Sequence, residues 1–344
     1  MFPNTLTVVI GAGASYECVS EGRTEIRVDY RPPLTSELFS ARPSFNAILR
    51  KYPRVEALSD EIRAKLSSGT PLETLLRLFS EEENLILRKQ YWEIPFYLQE
   101  LLGEVSDHFV QAGTTKFSTL FRAILRSDFK RVLFLTLNYD TLLERAISGV
   151  TGHSFVDLSS YCPENEKWQL LKLHGSVNWG REIRNYSGKE KTATEVLTVL
   201  NELDLADEIR MLKGHQDDYR KVARNFFYPA LAVPLDKEKQ YISPPEHVEC
   251  SRDFIRTCQA FLILGFSGLD ADVLELLSVA EKPVRVKVVD KDRNAATEVL
   301  RRVAVRSPSF GQSPPVDLRN ASFSGGFEAF VSSGEAERFL GFGR

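Results

Sequence analysis

The sequence has few cysteines and none in close pairs. Its four, Cys18, Cys162, Cys250 and Cys258, include no C-x-x-C spacing. That excludes a four-thiolate zinc site and the dense disulfide framework of a small secreted domain. A basic excess is also missing: 44 Lys and Arg stand against 47 Asp and Glu, for a net charge of −3. The chain therefore lacks the global electrostatic footprint of a nucleic-acid clamp, and no direct nucleic-acid binding is expected. No apolar run approaches the ~18–20 residues of a membrane span. The longest, at 132–137 and 260–266, have the length of buried strands. No Lys or Arg precedes Arg23, so the apolar stretch 6–14 lacks the positive region of a secretory leader. The expectation is a cytoplasmic protein in reducing surroundings, with no membrane contact.

What is present is enough apolar material for a large core, 43% of 344 residues. Continuous apolar runs of strand length lie at 6–10, 131–136, 169–173, 260–264 and 284–289. Runs of that kind suit strands buried on both faces of a parallel sheet, and the intervals between them are long enough for crossovers. The pattern predicts an α/β protein with a Rossmann-like, doubly wound parallel sheet. About 120 residues separate the first two runs, far more than one crossover helix requires. Helical patterns over 45–66, 71–87, 91–111 and 116–125 fill the interval, with Thr70-Pro71-Leu72-Glu73 offering a cap and an N1 proline. A large helical insertion over about 35–127 is expected. A charged stretch over 185–224 carries a helical pattern at 193–212 and reads as a lid, an oligomer contact or a solvated excursion. A last helix is expected over 327–339, after a Ser/Gly/Pro-rich loop at 307–315. One unit over 1–344, enlarged by insertions, is the economical reading.

Ligands of open α/β sheets bind at the carboxyl ends of the strands, so the chemistry is sought there. The first strand ends in Gly11-Ala12-Gly13-Ala14-Ser15. Glycines there allow backbone to approach a pyrophosphate, and Ser15 offers a hydroxyl. Tyr16 stands where the dinucleotide fingerprint has its third glycine, and the same residues also suit a tight turn with no ligand. The second strand ends in Asn138-Tyr139-Asp140, two polar groups that are either ligand contacts or a helix cap before Thr141-Leu142-Leu143-Glu144. The third ends in His174-Gly175, the one histidine of five that sits at such a position; His108, His153, His215 and His247 stand in polar or helical contexts. The fourth ends in Gly265-Phe266-Ser267-Gly268-Leu269-Asp270-Ala271-Asp272, a second small-residue loop. The fifth ends in Asp290, which suits a ribose hydroxyl, although Asp290 and Asp292 also suit the cap of a helix at 293–302.

The ordered set GAGAS, TLNYD, LHG and GFSGLDAD resembles the Sir2 family, and within it the bacterial Sir2-like branch of anti-phage defence proteins. The stretch 228–239, with Ala232-Val233-Pro234, and Pro33-Leu34-Thr35-Ser36-Glu37-Leu38 are similar to segments of that branch. The resemblance implies that Gly11, Ala12, Gly13 and Ser15 hold the NAD⁺ pyrophosphate and that Asn138 positions a ribose hydroxyl or water. It implies that Asp140 lies near the nicotinamide carboxamide and that His174 is the general base. Gly265, Phe266 and Ser267, with Asp290, would line the adenosine side. Protein-deacylating relatives depart from this chain in three ways. They have Gln where it has Leu137. Their glycine-proline-Asp-Phe-Arg segment is matched only by Val28-Asp29-Tyr30-Arg31. They carry four zinc cysteines after the histidine, where this chain has Cys250 and Cys258 alone. The resemblance thus implies NAD⁺ as substrate, no metal, and hydrolysis to nicotinamide and ADP-ribose. Deacylation, ADP-ribosyl transfer and a non-catalytic NAD or ADP-ribose sensor are the alternatives. It further implies a homo-oligomer and a protein partner, such as an ATPase, helicase or Argonaute-type sensor, that activates or restrains the enzyme.

Overall fold

A computed structural model describes residues 4–18, 28–68, 70, 75, 84–110, 115–232, 242–281, 285–306, 308–310 and 321–342. Its strands, numbered along the chain, are β1 (Thr5–Ile10), β2 (Arg131–Thr136), β3 (Trp168–Lys172), β4 (Gly175–Ile183), β5 (Leu205–Met211), β6 (Lys221–Val222), β7 (Asn225–Leu231), β8 (Ala260–Leu264), β9 (Arg285–Asp290) and β10 (Ser322–Ser324). Six of them form a parallel sheet in the order β10-β9-β8-β1-β2-β3. The five runs of apolar sequence are its five longer strands. Val8, Val9, Phe134, Leu135, Leu262 and Ile263 are all buried, because helices cover both faces. The fold class read from the sequence is therefore the one observed. From β1 the chain builds outward through β2 and β3, and later through β8, β9 and β10 on the other side. The strand order reverses between β1 and β8, which opens the crevice where doubly wound sheets take their ligands.

The described helices of the long interval are α1 (Ala12–Tyr16), α2 (Pro43–Leu49), α3 (Pro53–Ser67), α4 (Leu85–Val110) and α5 (Lys116–Arg126). The single helix expected over 45–66 is two, because Pro53 lacks the N–H to continue α2 and instead starts α3. The buried carboxylate of Glu93 on α4 accepts the N–H of Arg54 at 2.9 Å and of Val55 at 3.3 Å, so it caps α3. Most of the helix expected over 71–87, its Pro71–Glu73 start included, lies outside the described residues, as do much of the 307–315 loop and the 233–239 part of the 228–239 stretch.

The charged stretch over 185–224 is not a solvated helical excursion. Only α7 (Ala193–Val199), which follows α6 (Leu142–Thr151), is helical in its first half; 205–211 is the strand β5. Strands β5-β4-β7-β6 make a second, antiparallel sheet. A short helix α8 (Asp217–Arg220) fastens it to α4: the wholly buried Arg220 donates to Gln99 Oε1 at 2.7 Å, Tyr52 Oη at 3.1 Å and Asp217 Oδ1 at 2.8 Å. The remaining helices are α9 (Pro245–Arg256), α10 (Ala271–Ser278), α11 (Arg293–Arg306), α12 (Gly326–Ser332) and α13 (Glu335–Leu340). The last two replace the one helix expected over 327–339, with Gly334 at φ +78° turning the chain between them. Among the described residues no helix is long and apolar enough to cross a membrane.

Candidate functional site

The turn after β1 and the turn after β8 are packed backbone against backbone. Gly11 N–H donates to Leu264 O at 3.0 Å and Gly13 N–H to Gly265 O at 3.1 Å. A Cβ on Gly11 would stand 2.5 Å from Gly265 O, and one on Gly265, at φ +55°, would stand 2.2 Å from Ala14 N. The glycines of the two loops thus serve each other's close approach at the crevice. The N–H groups of Gly11 and Gly13 are already used, which leaves Ala12 and Ser15 as the members of the first turn with donors for a ligand. Tyr16, in place of a third glycine, holds the Arg31 guanidinium 3.9 Å over its ring, and Arg31 Nε donates to Tyr16 O at 3.0 Å.

Asn138 links this turn to the end of β2. Its Nδ2 donates to Gly11 O at 3.1 Å and to Ser15 Oγ at 2.8 Å. A carbonyl accepts only, so the amide orientation is fixed by Gly11, and Oδ1 is left as an acceptor. The Asn138 backbone N–H donates to Thr136 Oγ1 at 3.1 Å. Asp140 precedes the N-cap of α6, Thr141, and its Oδ1 accepts Leu142 N–H at 3.1 Å. Below it, Lys172 Nζ donates to Asp140 O and, at 2.8 Å, to Glu144 Oε1. Both Lys172 and Glu144 are buried, and the Tyr161 hydroxyl adds a bond to Glu144 Oε1 at 3.2 Å. Burial, with the Glu144 charge adding to it, raises that hydroxyl well above the usual tyrosine range. Burial likewise pushes up the Cys18 thiol, and the Asp140 charge adds to that shift.

His174 occupies the turn where the chain leaves the parallel sheet and enters the antiparallel one. Gly175, at φ +84°, makes that turn, and a Cβ there would meet Ala230 O at 1.9 Å. Its neighbours fix the histidine: His174 O accepts Ala232 N–H at 2.9 Å, and the Tyr139 ring lies 6.3 Å away, tilted. His174 Nε2 lies 3.0 Å from Asp270 Oδ2. Burial tends to raise the Asp270 carboxyl, but the hydrogen bond and charge of His174, with the Val273 and Asp272 N–H groups, hold it below its ordinary value. The register pairs Ile10 with Thr136 and Thr136 with Lys172. Asn138 and His174 are each two residues beyond a paired position, so they sit level at adjacent strand ends.

The other site residues are more dispersed. The Phe266 side chain is buried in the core cluster that also holds Phe254, Val273 and Leu277, so only its backbone is available to a ligand. Ser267 is exposed, and its carbonyl accepts Arg302 Nη1 at 2.9 Å. Asp290, at the end of β9, accepts Asp292 N–H at 3.0 Å, and Asp292 accepts Ala295 N–H at 2.8 Å, the expected cap of α11. The four remaining histidines lie apart from these groups. His108 stacks on Tyr30 and His153 packs against Trp168. His215 lies 3.6 Å from Glu104, and burial lowers His247. Asp270, Lys172, Glu144 and Tyr139 were not singled out from the sequence. Asp270 carried a signal, an acid directly ahead of an apolar helix, but its partner is 96 positions away.

His174, Asp270 and Asp272 can bring three ligand atoms within 4.8 Å of one another. Asp270 Oδ1 accepts Val273 N–H and Oδ2 faces His174 Nε2. Cys258 is buried against Thr7 Oγ1 at 3.2 Å and Cys250 is exposed on α9, so these two thiols do not form half of a zinc site. A cleft of about 800 Å³ between β5 and α9 is lined by Arg181, Ile209, Ile242 and Arg252 and includes none of the strand-end residues.

The doubly wound α/β sheet thus has glycine turns closing its crevice, with an Asn and a His level at the next two strand ends. Residues 132–283 match the family model of the SIR2-like domain. This stretch, less than half of the chain, carries Asn138, Asp140, His174 and the Gly265–Asp270 loop, and it is the part of the chain that is similar to the SIR2-like domain. Similar solved structures include a Sir2 homolog–NAD complex, with 12% identity over 98% of this chain and 90% of that one at a TM-score of 0.44. Another is a Sir2 homologue mutant with 2′-O-acetyl ADP ribose, with 13% identity over 98% of this chain and 92% of that one at a TM-score of 0.43. No curated protein matches the chain.

Proposed function

We propose that the chain is an NAD⁺ glycohydrolase, a single Sir2-like unit that cleaves the nicotinamide–ribose bond. The observation that carries this reading is the level placement of Asn138 and His174 beside the crevice, with the Asn138 amide tied to Gly11 and Ser15. In the reaction the C1′–N bond breaks and its electron pair returns to the pyridinium nitrogen, so nicotinamide leaves neutral and needs no strong acid. The cation left at C1′ is oxocarbenium-like. A water oxygen bonds to C1′ and its proton passes to the His174 imidazole, which acts as the general base. Asn138 Oδ1 orients a ribose hydroxyl or that water without bringing a charge next to an electron-poor carbon. Ala12 and Ser15 serve the pyrophosphate across the turn shaped by Gly11 and Gly13. Asp140 serves the nicotinamide side, and the backbone of Gly265, Phe266 and Ser267, with Asp290, serves the adenosine side. Orientation and exclusion of other nucleophiles supply much of the rate.

Water is the acceptor in this reading because the sequence lacks the zinc cysteines that accompany the acyl-lysine groove of deacylating relatives. An unrestrained NAD⁺ hydrolase is toxic to its host, so the activity belongs to a cytoplasmic effector of anti-phage defence. A homo-oligomer or a sensor partner of the ATPase, helicase or Argonaute type holds it in check. The test incubates purified protein with NAD⁺, alone and with an acetylated peptide or an acceptor protein, and separates the products. Free ADP-ribose and nicotinamide in equal amounts support hydrolysis. Acetyl-ADP-ribose with deacetylated peptide, or label transferred to protein, replaces it with deacylation or ADP-ribosyl transfer.

A further inference from the structure

We propose that Asp270 is a positioning residue for His174, holding the imidazole in the tautomer with its proton on Nε2 so that Nδ1 is the nitrogen that accepts the proton. The inference rests on the hydrolase reading for its kinetic consequence, but its geometry stands alone. Asp270 is held from two sides. Oδ1 accepts Val273 N–H at 2.9 Å and so caps α10, while Oδ2 faces His174 Nε2 at 3.0 Å. The cap fixes the carboxylate on a rigid element, and the carboxylate fixes the ring. Nδ1 has no partner among the described residues.

A carboxylate accepts and does not donate, so the nitrogen facing it carries the hydrogen. The neutral ring then has its lone pair on Nδ1. When a proton arrives there from water or a ribose hydroxyl, the ring becomes an imidazolium whose Nε2–H still donates to Asp270, and the opposite charge stabilises it. No further proton moves, and Asp270 stays ionised. That the His174 pairing holds the Asp270 carboxyl below its ordinary value is the same coupling seen from the acid. The groups facing the ring are Asp270, Asp272 and the Tyr139 ring. Of these, Asp270 makes the bond to Nε2.

The Asp270→Asn variant separates this role from capping. Asparagine has one acceptor oxygen. If that oxygen keeps the cap on Val273, the amide N–H₂ turns to His174 Nε2, which must become the acceptor, and the proton moves to Nδ1. The ring is then in the wrong tautomer although the helix start is intact. The experiment records histidine ¹⁵N spectra of the full chain without NAD⁺, together with steady-state NAD⁺ cleavage and thermal unfolding. The expected result is an Nε2–H tautomer in the wild type and its loss in Asp270→Asn. It is accompanied by a fall in kcat of about a hundredfold or more, a KM for NAD⁺ within about twofold and an unchanged midpoint of unfolding. Asp270→Ala should lose the same activity and also unfold earlier, and Asp272→Asn should keep the Nε2–H tautomer. The proposal is overturned if Asp270→Asn keeps the wild-type tautomer and kcat, as a pure helix cap would, or if Asp272→Asn is the variant that changes the tautomer. A wild-type chain that leaves NAD⁺ intact would remove the hydrolase reading, and the tautomer would still decide the His174–Asp270 pair.

Discussion

The Asn138 side chain donates to the Gly11 carbonyl at 3.1 Å and to Ser15 Oγ at 2.8 Å, so the end of β2 closes the turn that follows β1. The residue proposed to orient the ribose hydroxyl or water therefore also ties two strand ends of the crevice together. Asn138→Asp tests both roles with almost no change in size. A carboxylate cannot donate to Gly11 O, so that hydrogen bond is replaced by oxygen–oxygen repulsion, while the Ser15 hydroxyl turns to donate to the carboxylate. The expected outcome is loss of NAD⁺ cleavage together with a destabilisation of about 1–3 kcal/mol, seen in chemical unfolding. An active variant of unchanged stability would remove Asn138 from the account.

Gly265→Ala is expected to be among the more damaging single-methyl additions in the molecule. The position has φ +55°, and its Cβ would sit 2.2 Å from Ala14 N, a backbone atom that cannot swing away. Left-handed strain and overpacking together are expected to cost roughly 2–5 kcal/mol. Gly149→Ala is the matched control. It lies inside α6 with nothing within 4 Å of the added methyl, and should gain about 0.5–1 kcal/mol from helix propensity. Urea unfolding of the two variants should therefore move in opposite directions.

Beneath the site, Lys172 and Glu144 form a buried ion pair at 2.8 Å that also ties down the Asp140 carbonyl. Lys172→Met strands the Glu144 carboxylate away from water. The expected loss is about 3–5 kcal/mol of stability, with a smaller loss when Glu144→Leu is added in the same chain, because the uncompensated charge is then gone. Equilibrium unfolding of the single and double variants checks this; a double variant no more stable than Lys172→Met contradicts it.

Acid should loosen the join between α4 and the antiparallel sheet. His215 beside it, against the opposing effect of burial and with help from Gln216, holds the Glu104 carboxyl down to about 2. A carboxyl depressed in the folded state stabilises above its ordinary value of 4.5, and that contribution is lost as the pH falls towards 2. Glu104→Gln should lose less stability than the wild type between pH 7 and pH 3 in thermal unfolding. Parallel losses in the two proteins would contradict the assignment.

The parallel sheet was legible because strands covered on both faces leave continuous apolar runs, and 131–136 and 260–264 could be read to the residue. The antiparallel sheet was not. In β5, Asp207, Glu208 and Arg210 are part of a strand with no residue fully buried, so its apolar spacing imitates a surface helix. It becomes a strand only through pairing with β4, as in Trp179 with Met211. At the site, the residues at strand ends could be found from the sequence because a strand end is a local feature. Asp270 and the Lys172–Glu144 pair could not, because each derives its meaning from a partner on another element. Phe266 shows the reverse limit: its place in a small-residue loop is local, but the direction of its ring, into the core, is set by packing.

Whether His174 and Asn138 carry NAD⁺ cleavage is decided by following NAD⁺ loss and product formation by chromatography in the wild-type chain, His174→Ala and Asn138→Ala, each alone and with a candidate partner. Equimolar nicotinamide and ADP-ribose are expected from the wild type and none from either variant. NAD⁺ left intact by the wild type in every condition, or cleaved by His174→Ala at near wild-type rates, would contradict it.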